Sequence, residues 1–234
     1  MNRKILKYIA VIAMIIDHCA LVFVGTGKPL GVAMRLVGRL TAPIMCYFLV
    51  EGYMHTRSKK KYGKRLFAFA LISQIPFIFL VAGYFWVMKL NMIFTLFFCF
   101  MILLCLEKID SIPLKVICIL GLGYMCYYCD WGTVAPLWVL VFYIFRDDKK
   151  KMVIFYLIAC AFWVVRCCSV AVSGGSEWYS VWWQAGSVLA LPVIYSYNGE
   201  GGKPSKFSKW FFYWFYPVHL LVLGIIYRSV LPYI

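Results

Sequence analysis

Asp17 and His18 stand side by side inside a run of apolar residues, and Lys7 precedes the histidine by eleven positions. A helix turns about 100° and rises about 1.5 Å per residue, so eleven positions make nearly three whole turns; Lys7 and His18 then share one face, about 16 Å apart along the axis. A cation near one end and a titratable imidazole deep in the same helix suit a site that grips an anion and does proton chemistry further in. Arg35 and Arg39 are four apart and share a face. Asn91, Asp130, Arg166, Gln184 and His219 also fall within or at the ends of apolar stretches. A charge in hydrocarbon costs roughly 3 kcal/mol or more, so such residues mark a pathway or a site. Taken singly, each also fits a packing role: an Arg–Asp pair, interhelical hydrogen bonds from Asn91 and Gln184, a satisfied core histidine at 219.

The elements that must position these groups are set by composition. Hydrophobic residues make up 64% of the 234 and charged residues 14%, more apolar surface than a soluble core of this length can hide. The chain reads as an all-α, polytopic transmembrane helical bundle forming a single domain over 1–234. At about 20 residues per crossing of roughly 30 Å of hydrocarbon, spans are expected near 5–24, 31–53, 66–86, 91–107, 112–129, 133–146, 152–171, 179–197 and 209–231. Nine crossings is the favoured count, with eight or ten the alternatives, because 133–146 is short and tilted or re-entrant in character, with Gly132 and Pro136 at its start. No small-residue cleavage site follows the first span, so the N-terminus is expected to be retained.

Lysine and arginine gather in alternate loops: Arg3, Lys4 and Lys7; Arg57 to Arg65; Lys108 and Lys115; Arg146 to Lys151; Lys203, Lys206 and Lys209. Eighteen of the 24 basic residues thus fall on one side, which the positive-inside rule makes the cytoplasm, with the N-terminus inside and the C-terminus outside. The net charge of +15 reflects this topology and attraction to anionic lipid, with no nucleic-acid partner implied. On that topology Asp17 and His18 lie about 9–10 Å below the outer boundary, and Arg35 and Arg39 about 5 and 11 Å below it. Asp17 and Arg39 are at matching depth, so an ion pair between neighbouring helices is expected.

Most of the ten cysteines fall inside spans and act as small hydrophobes. Cys126 and Cys129 have C-x-x-C spacing but no second pair or nearby histidine, so no metal is expected. Glu51 and His55, with Arg57 beyond, read as a solvated helix end. Trp182-Trp183 and Trp210-Phe211-Phe212 read as interfacial belt and packing.

Several short motifs occur in a characteristic order: Asp17-His18; Arg35-x-x-Gly38-Arg39-Leu40 with Pro43; Glu51-Gly52-Tyr53 with His55-Thr56; Arg65-Leu66 followed by Ala70 to Phe77; Leu90-Asn91 with Phe94-Thr95-Leu96; Tyr197-Asn198-Gly199 with Gly201; and Phe215-Tyr216-Pro217-x-His219. In this order they resemble the TraX family, from roughly residue 4 to 220. The resemblance implies a multi-pass protein of the bacterial inner membrane, an acetyltransferase of the type that N-acetylates pilin in conjugation systems. That family is in turn similar to the wider transmembrane acyltransferases, whose first-helix signature is a basic residue, ten intervening residues and a histidine; Lys7-x10-His18 fits it. Nothing in the chain singles out pilin as the acceptor, which a peptide N-terminus, a sugar or a small molecule would each satisfy.

Acyl transfer from a thioester needs a base, a donor to the developing oxyanion and a grip on the carrier. His18 is the expected base. Asp17 is the carboxylate that would orient its ring, although consecutive helical residues point about 100° apart. Arg39 is the expected partner of Asp17 or oxyanion stabiliser, Arg35 a hold on the acyl group or acceptor, and His219 a second candidate, as acid or acceptor-positioning group. Lys7, Arg57, Lys64 and Arg65 are the expected ligands of the phosphates of acetyl-CoA, the acyl donor, and Asn91, Asp130, Arg166 and Gln184 are expected to contact the acceptor. A proton-coupled transporter would use the same Asp/His/Arg layer, but no inverted repeat or paired broken helices accompany it. A non-catalytic assembly factor is a third reading, one that would tolerate loss of His18. The sequence says nothing about oligomeric state.

Overall fold

The computed structural model of the chain describes residues 1–81, 89–200 and 206–230. The helices are α1 (Arg3–Cys19), continued by a π-helical turn (Ala20–Val24), α2 (Pro29–Gly38), α3 (Thr41–His55), α4 (Lys59–Val81), α5 (Met92–Lys108), α6 (Ile112–Tyr127), α7 (Ala135–Ile144) and α8 (Lys149–Ser173). A 3-10 helix (Trp178–Leu189) then leads into α9 (Ala190–Tyr195), and α10 covers Lys206–Val230. Among the described residues, five stretches are long and apolar enough to cross a membrane: Arg3–Val24, Pro29–His55, Lys59–Val81, Lys149–Ser173 and Trp210–Ser229. The chain is an all-α membrane protein.

The nine expected crossings differ in character. Helices α5 and α6 have 17 and 16 residues and reach about 24–26 Å at 1.5 Å per residue, short of a full hydrocarbon thickness. Helix α7 has ten residues, about 15 Å. The stretch expected as a span over 31–53 breaks between α2 and α3: the N–H of Arg39 still reaches Arg35 O at 3.1 Å, whereas Leu40 N–H turns to Val37 O at 3.2 Å. The stretch expected at 179–197 is mostly 3-10 helix. The end of the 66–86 span, most of the turn around Trp86 to Lys89, Gly201 and Lys203 lie outside the described residues.

The described chain divides into two compact units, Met1–Met45 with Phe145–Lys209, and Cys46–Ile144 with Trp210–Ile234. In the first, Asn2 caps α1, its Oδ1 accepting from Ile5 N–H at 3.1 Å. Helix α1 buries a stripe at Leu6, Ala10, Ala13 and Asp17, the i, i+4, i+7 spacing of one helical face. Lys7, Val11, Met14 and His18 form the adjacent row. Past Cys19 the helix widens; Gly25 N–H bonds Ala20 O at 2.8 Å, five residues back, and Gly25 ends the run at φ 71°. Such π turns recur at functional positions. Pro29 opens α2, where its missing N–H has no helical partner to lose. Thr41 Oγ1 donates to Ala10 O at 3.1 Å, tying the start of α3 to α1.

In the second unit α5 packs against α4, α6 and α7. Its core includes Trp138, Tyr53, Phe100, Phe142 and Leu103, each under 2% exposed. Tyr53 Oη donates to Glu107 Oε2 at 2.5 Å, and Lys59 pairs with the same carboxylate while lying 4.3 Å over the Tyr53 ring. Phe69 of α4 is flanked by Tyr213 and Trp214 of α10, with ring centroids 4.8 and 5.4 Å away.

Candidate functional site

Two arginines of the first unit converge on Asp17. Arg35 Nη1 donates to Asp17 Oδ2 at 2.9 Å, and Arg39 Nη2 donates to Asp17 Oδ1. Both guanidiniums are therefore on one carboxylate, where the sequence reading expected Arg39 on Asp17 and Arg35 on the acyl group or acceptor. Their side chains are 11% and 6% exposed. Ion pairs this dry are held by their geometry, and stranding one member costs about 3–5 kcal/mol. The two arginines lie on one face of the α2 end, and Gly38 between them lets the carboxylate approach. A Cβ there would meet Asp17 Cβ at 2.3 Å.

The other wall is the 3-10 helix. Trp183, expected in the interfacial belt, is instead 7% exposed, and its ring lies 4.4 Å from the Arg35 guanidinium and 4.7 Å from that of Arg39. One indole thus faces two cations, a contact that strengthens as water is removed. Gln184 Oε1 accepts from Arg39 Nη1 at 3.4 Å and from Trp163 Nε1 on α8 at 3.1 Å. Gly186 brings the segment against α2, since a Cβ there would lie 2.1 Å from Leu36 O. Tyr156 Oη of α8 donates to Ser187 O at 2.5 Å.

Trp163, Trp183, Gly38 and Gly186 are the contributors the sequence reading did not single out as parts of a site. Burial follows the 3-10 winding: Trp183, Gln184, Gly186 and Ser187 are buried, while Tyr179, Trp182 and Val188 are exposed, a period of three that matches three residues per turn. The residue types gave no signal of it, since the buried positions include Gln, Gly and Ser and the exposed ones Trp and Val.

His18 adjoins this network, half-buried at the end of the continuous α-helix that also carries half-buried Lys7. With no break between Arg3 and Cys19, the shared face expected for the two residues stands. Arg166, on α8, is half-buried in the same unit.

The remaining expected residues belong to the second unit. Arg57 and Lys64 are exposed, and Arg65 lies 5.7 Å over the Tyr62 ring. Asn91 is fully buried: its Nδ2 donates to Ala70 O at 2.7 Å and Gln74 Oε1 at 2.8 Å, and its Oδ1 caps α5 through Ile93 N–H at 2.9 Å. Gln74 Nε2 reaches Lys89 O at 2.9 Å. This is a staple between α4 and the start of α5 that uses the whole Asn91 amide. Asp130 is held through its backbone, its N–H on Leu90 O at 2.8 Å and its carbonyl on Thr95 Oγ1 at 2.5 Å. The ring of His219 stacks on Phe215, centroids 4.7 Å apart, and Nδ1 lies 2.8 Å from Phe215 O. A carbonyl can only accept, so Nδ1 is the donor in this contact.

An apolar helical chain with a buried carboxylate gripped by two arginines defines a helical membrane protein with a buried polar site. Comparison with known proteins makes this specific. The TraX protein family matches residues 2–227, and the chain belongs to that family. It is 34% identical over 227 residues to the probable fimbrial assembly protein FimC, serogroup H1, of Dichelobacter nodosus, covering 93% of this chain and 92% of that one. No solved structure matches.

Proposed function

We propose that this protein is a membrane-embedded acetyltransferase that moves an acetyl group from cytoplasmic acetyl-CoA to an amine or hydroxyl of a fimbrial or pilin-type subunit, with His18 as general base. The family and the fimbrial assembly relative support the class of acceptor. The observation that carries the chemistry is the pinned Asp17 beside His18, on the same unbroken helix as Lys7.

The reading is built from the first unit alone. Lys7 takes a phosphate of the donor, and a run of about 16 Å from Lys7 to His18 suits an extended carrier arm. His18 accepts the proton of the acceptor amine as its nitrogen bonds to the thioester carbonyl carbon. The Arg35 and Arg39 guanidiniums lie on the side of the developing oxyanion, where fixed donors in a dry site contribute most. The C–S bond then breaks, and the imidazolium returns the proton to the departing thiolate.

The test is acetyl transfer from radiolabelled acetyl-CoA by the purified protein in lipid. Wild type should transfer label, His18→Ala should lose turnover by about 100-fold or more, and Lys7→Ala should raise the KM for acetyl-CoA. Wild-type protein that is folded yet neither binds nor consumes acetyl-CoA would overturn the reading and leave proton-coupled transport as the use of the same residues.

A further inference from the structure

The 3-10 helix gives the arginine pair a second set of contacts whose purpose the Asp17 ion pairs alone do not explain. Two guanidiniums share one carboxylate, each donating to it through one Nη, and a tryptophan face and an amide that is itself held by another tryptophan add contacts beyond that charge pairing. Such contacts fix direction. A guanidinium gripped only by a carboxylate keeps the freedom to swivel about its bonds. One bracketed by a carboxylate on one edge, an amide oxygen on another and an indole against its face has none.

We propose that Trp183, Gln184 and Trp163 are positioning residues that lock the Arg39 guanidinium, and with it Arg35, in one orientation for the reaction at His18. Trp163 Nε1 donates to Gln184 Oε1 at 3.1 Å, which sets the amide so that the same oxygen meets Arg39 Nη1 at 3.4 Å. Trp183 lies against both guanidiniums at 4.4 and 4.7 Å. The unusual backbone serves this arrangement. Runs of 3-10 helix seldom exceed four residues, yet this one has twelve. Its columns at 183 and 186 and at 184 and 187 face inward together. An α-helix would rotate each successive residue about 20° less, and the columns would splay. Gly186 holds the segment against Leu36 O of α2, in the helix that carries Arg35. Catalytic groups need this tolerance, since a displacement of about 1 Å costs roughly 100-fold in rate.

The kinetic arm of the test rests on the acetyl-transfer reading; a spectroscopic arm does not. The protein is labelled with 15N-arginine in lipid bilayers, and Arg39 is assigned by its loss in Arg39→Lys. A locked guanidinium gives separate Nη signals, and a swivelling one gives an average. Wild type should show separate Arg39 Nη signals. Trp163→Phe and Gln184→Leu should merge them and lower kcat about 10- to 100-fold, with the KM for acetyl-CoA within about twofold of wild type. Trp183→Phe, which keeps an aromatic face, should retain more turnover than Trp183→Leu. Unchanged Arg39 signals in both Trp163→Phe and Gln184→Leu would overturn the proposal. So would a loss of activity that only tracks the fraction of unfolded protein. If wild type transfers no acetyl group but the signals merge as described, the lock stands and the acetyl-transfer reading fails.

Discussion

The carboxylate of Asp17 occupies the space that a side chain on Gly38 would need: a Cβ at position 38 would lie 2.2 Å from Asp17 Oδ1. One helix leaves a gap, and the other fills it with the anion that pairs with the two flanking arginines.

Gly38→Ala is therefore expected to lower stability by about 1–3 kcal/mol through overpacking, and the penalty should shrink when Asp17→Ala has already emptied the space. A double-mutant cycle on denaturant unfolding in detergent measures this coupling. Additive effects would mean that the two residues do not compete for one volume.

Asp17→Ala strands two dry guanidiniums and is expected to destabilise by about 3–5 kcal/mol; Arg39→Met should cost less, because Arg35 still pairs with Asp17. The triple variant Asp17→Leu/Arg35→Met/Arg39→Met should regain part of the Asp17→Ala loss, because apolar groups often replace buried ions without penalty. Transfer activity should stay absent in the triple variant. Recovery of turnover along with stability would show that the three residues serve the fold alone.

Asn91→Ala is expected to cost about 2–4 kcal/mol, combining a lost cap with unsatisfied groups at Gln74 and Ala70. The KM for acceptor and for acetyl-CoA should be unchanged in the molecules that remain folded. A rise in acceptor KM at constant stability would return Asn91 to the binding residues.

Asp148 caps α8 through the N–H of Lys151 at 3.0 Å, and this backbone hydrogen bond, followed by the pairing with the Lys151 side chain, holds its carboxyl below its ordinary value. A depressed folded-state pKa means that its contribution is complete above the unfolded value of about 3.9 and is lost as pH falls through the folded one. Amide exchange at Lys151 should be protected near neutrality and accelerate in acid below about pH 4. Asp148→Asn keeps a capping oxygen and should abolish that acid step; an unaltered step would assign it to another group.

Much of this was legible in the residues themselves. The membrane class follows from the 64% hydrophobic composition, and the shared face of Lys7 and His18 follows from an uninterrupted helical register. The depth argument brought Asp17 and Arg39 to one level, as the ion pair shows. The length argument was weaker where helices deviate from 1.5 Å per residue. It found the span at 31–53, within Pro29–His55, without the turn between α2 and α3, read 179–197 as an ordinary span, and set Trp183 among interfacial aromatics because composition cannot separate an indole facing lipid from one facing a guanidinium.

The sequence by itself determined that the chain is helical and lies in a membrane, and that Asp17, His18 and Lys7 ride on one helix. These are properties of neighbours, fixed by local hydrophobicity and a constant turn per residue. The tertiary structure alone decided that both arginines bind Asp17, that Gln184 joins Arg39 across 145 positions and that Trp183 lies beneath the cations. Those contacts depend on the close approach that glycines 38 and 186 permit and on the tighter winding of the 3-10 helix, and both arise only when distant segments are packed together.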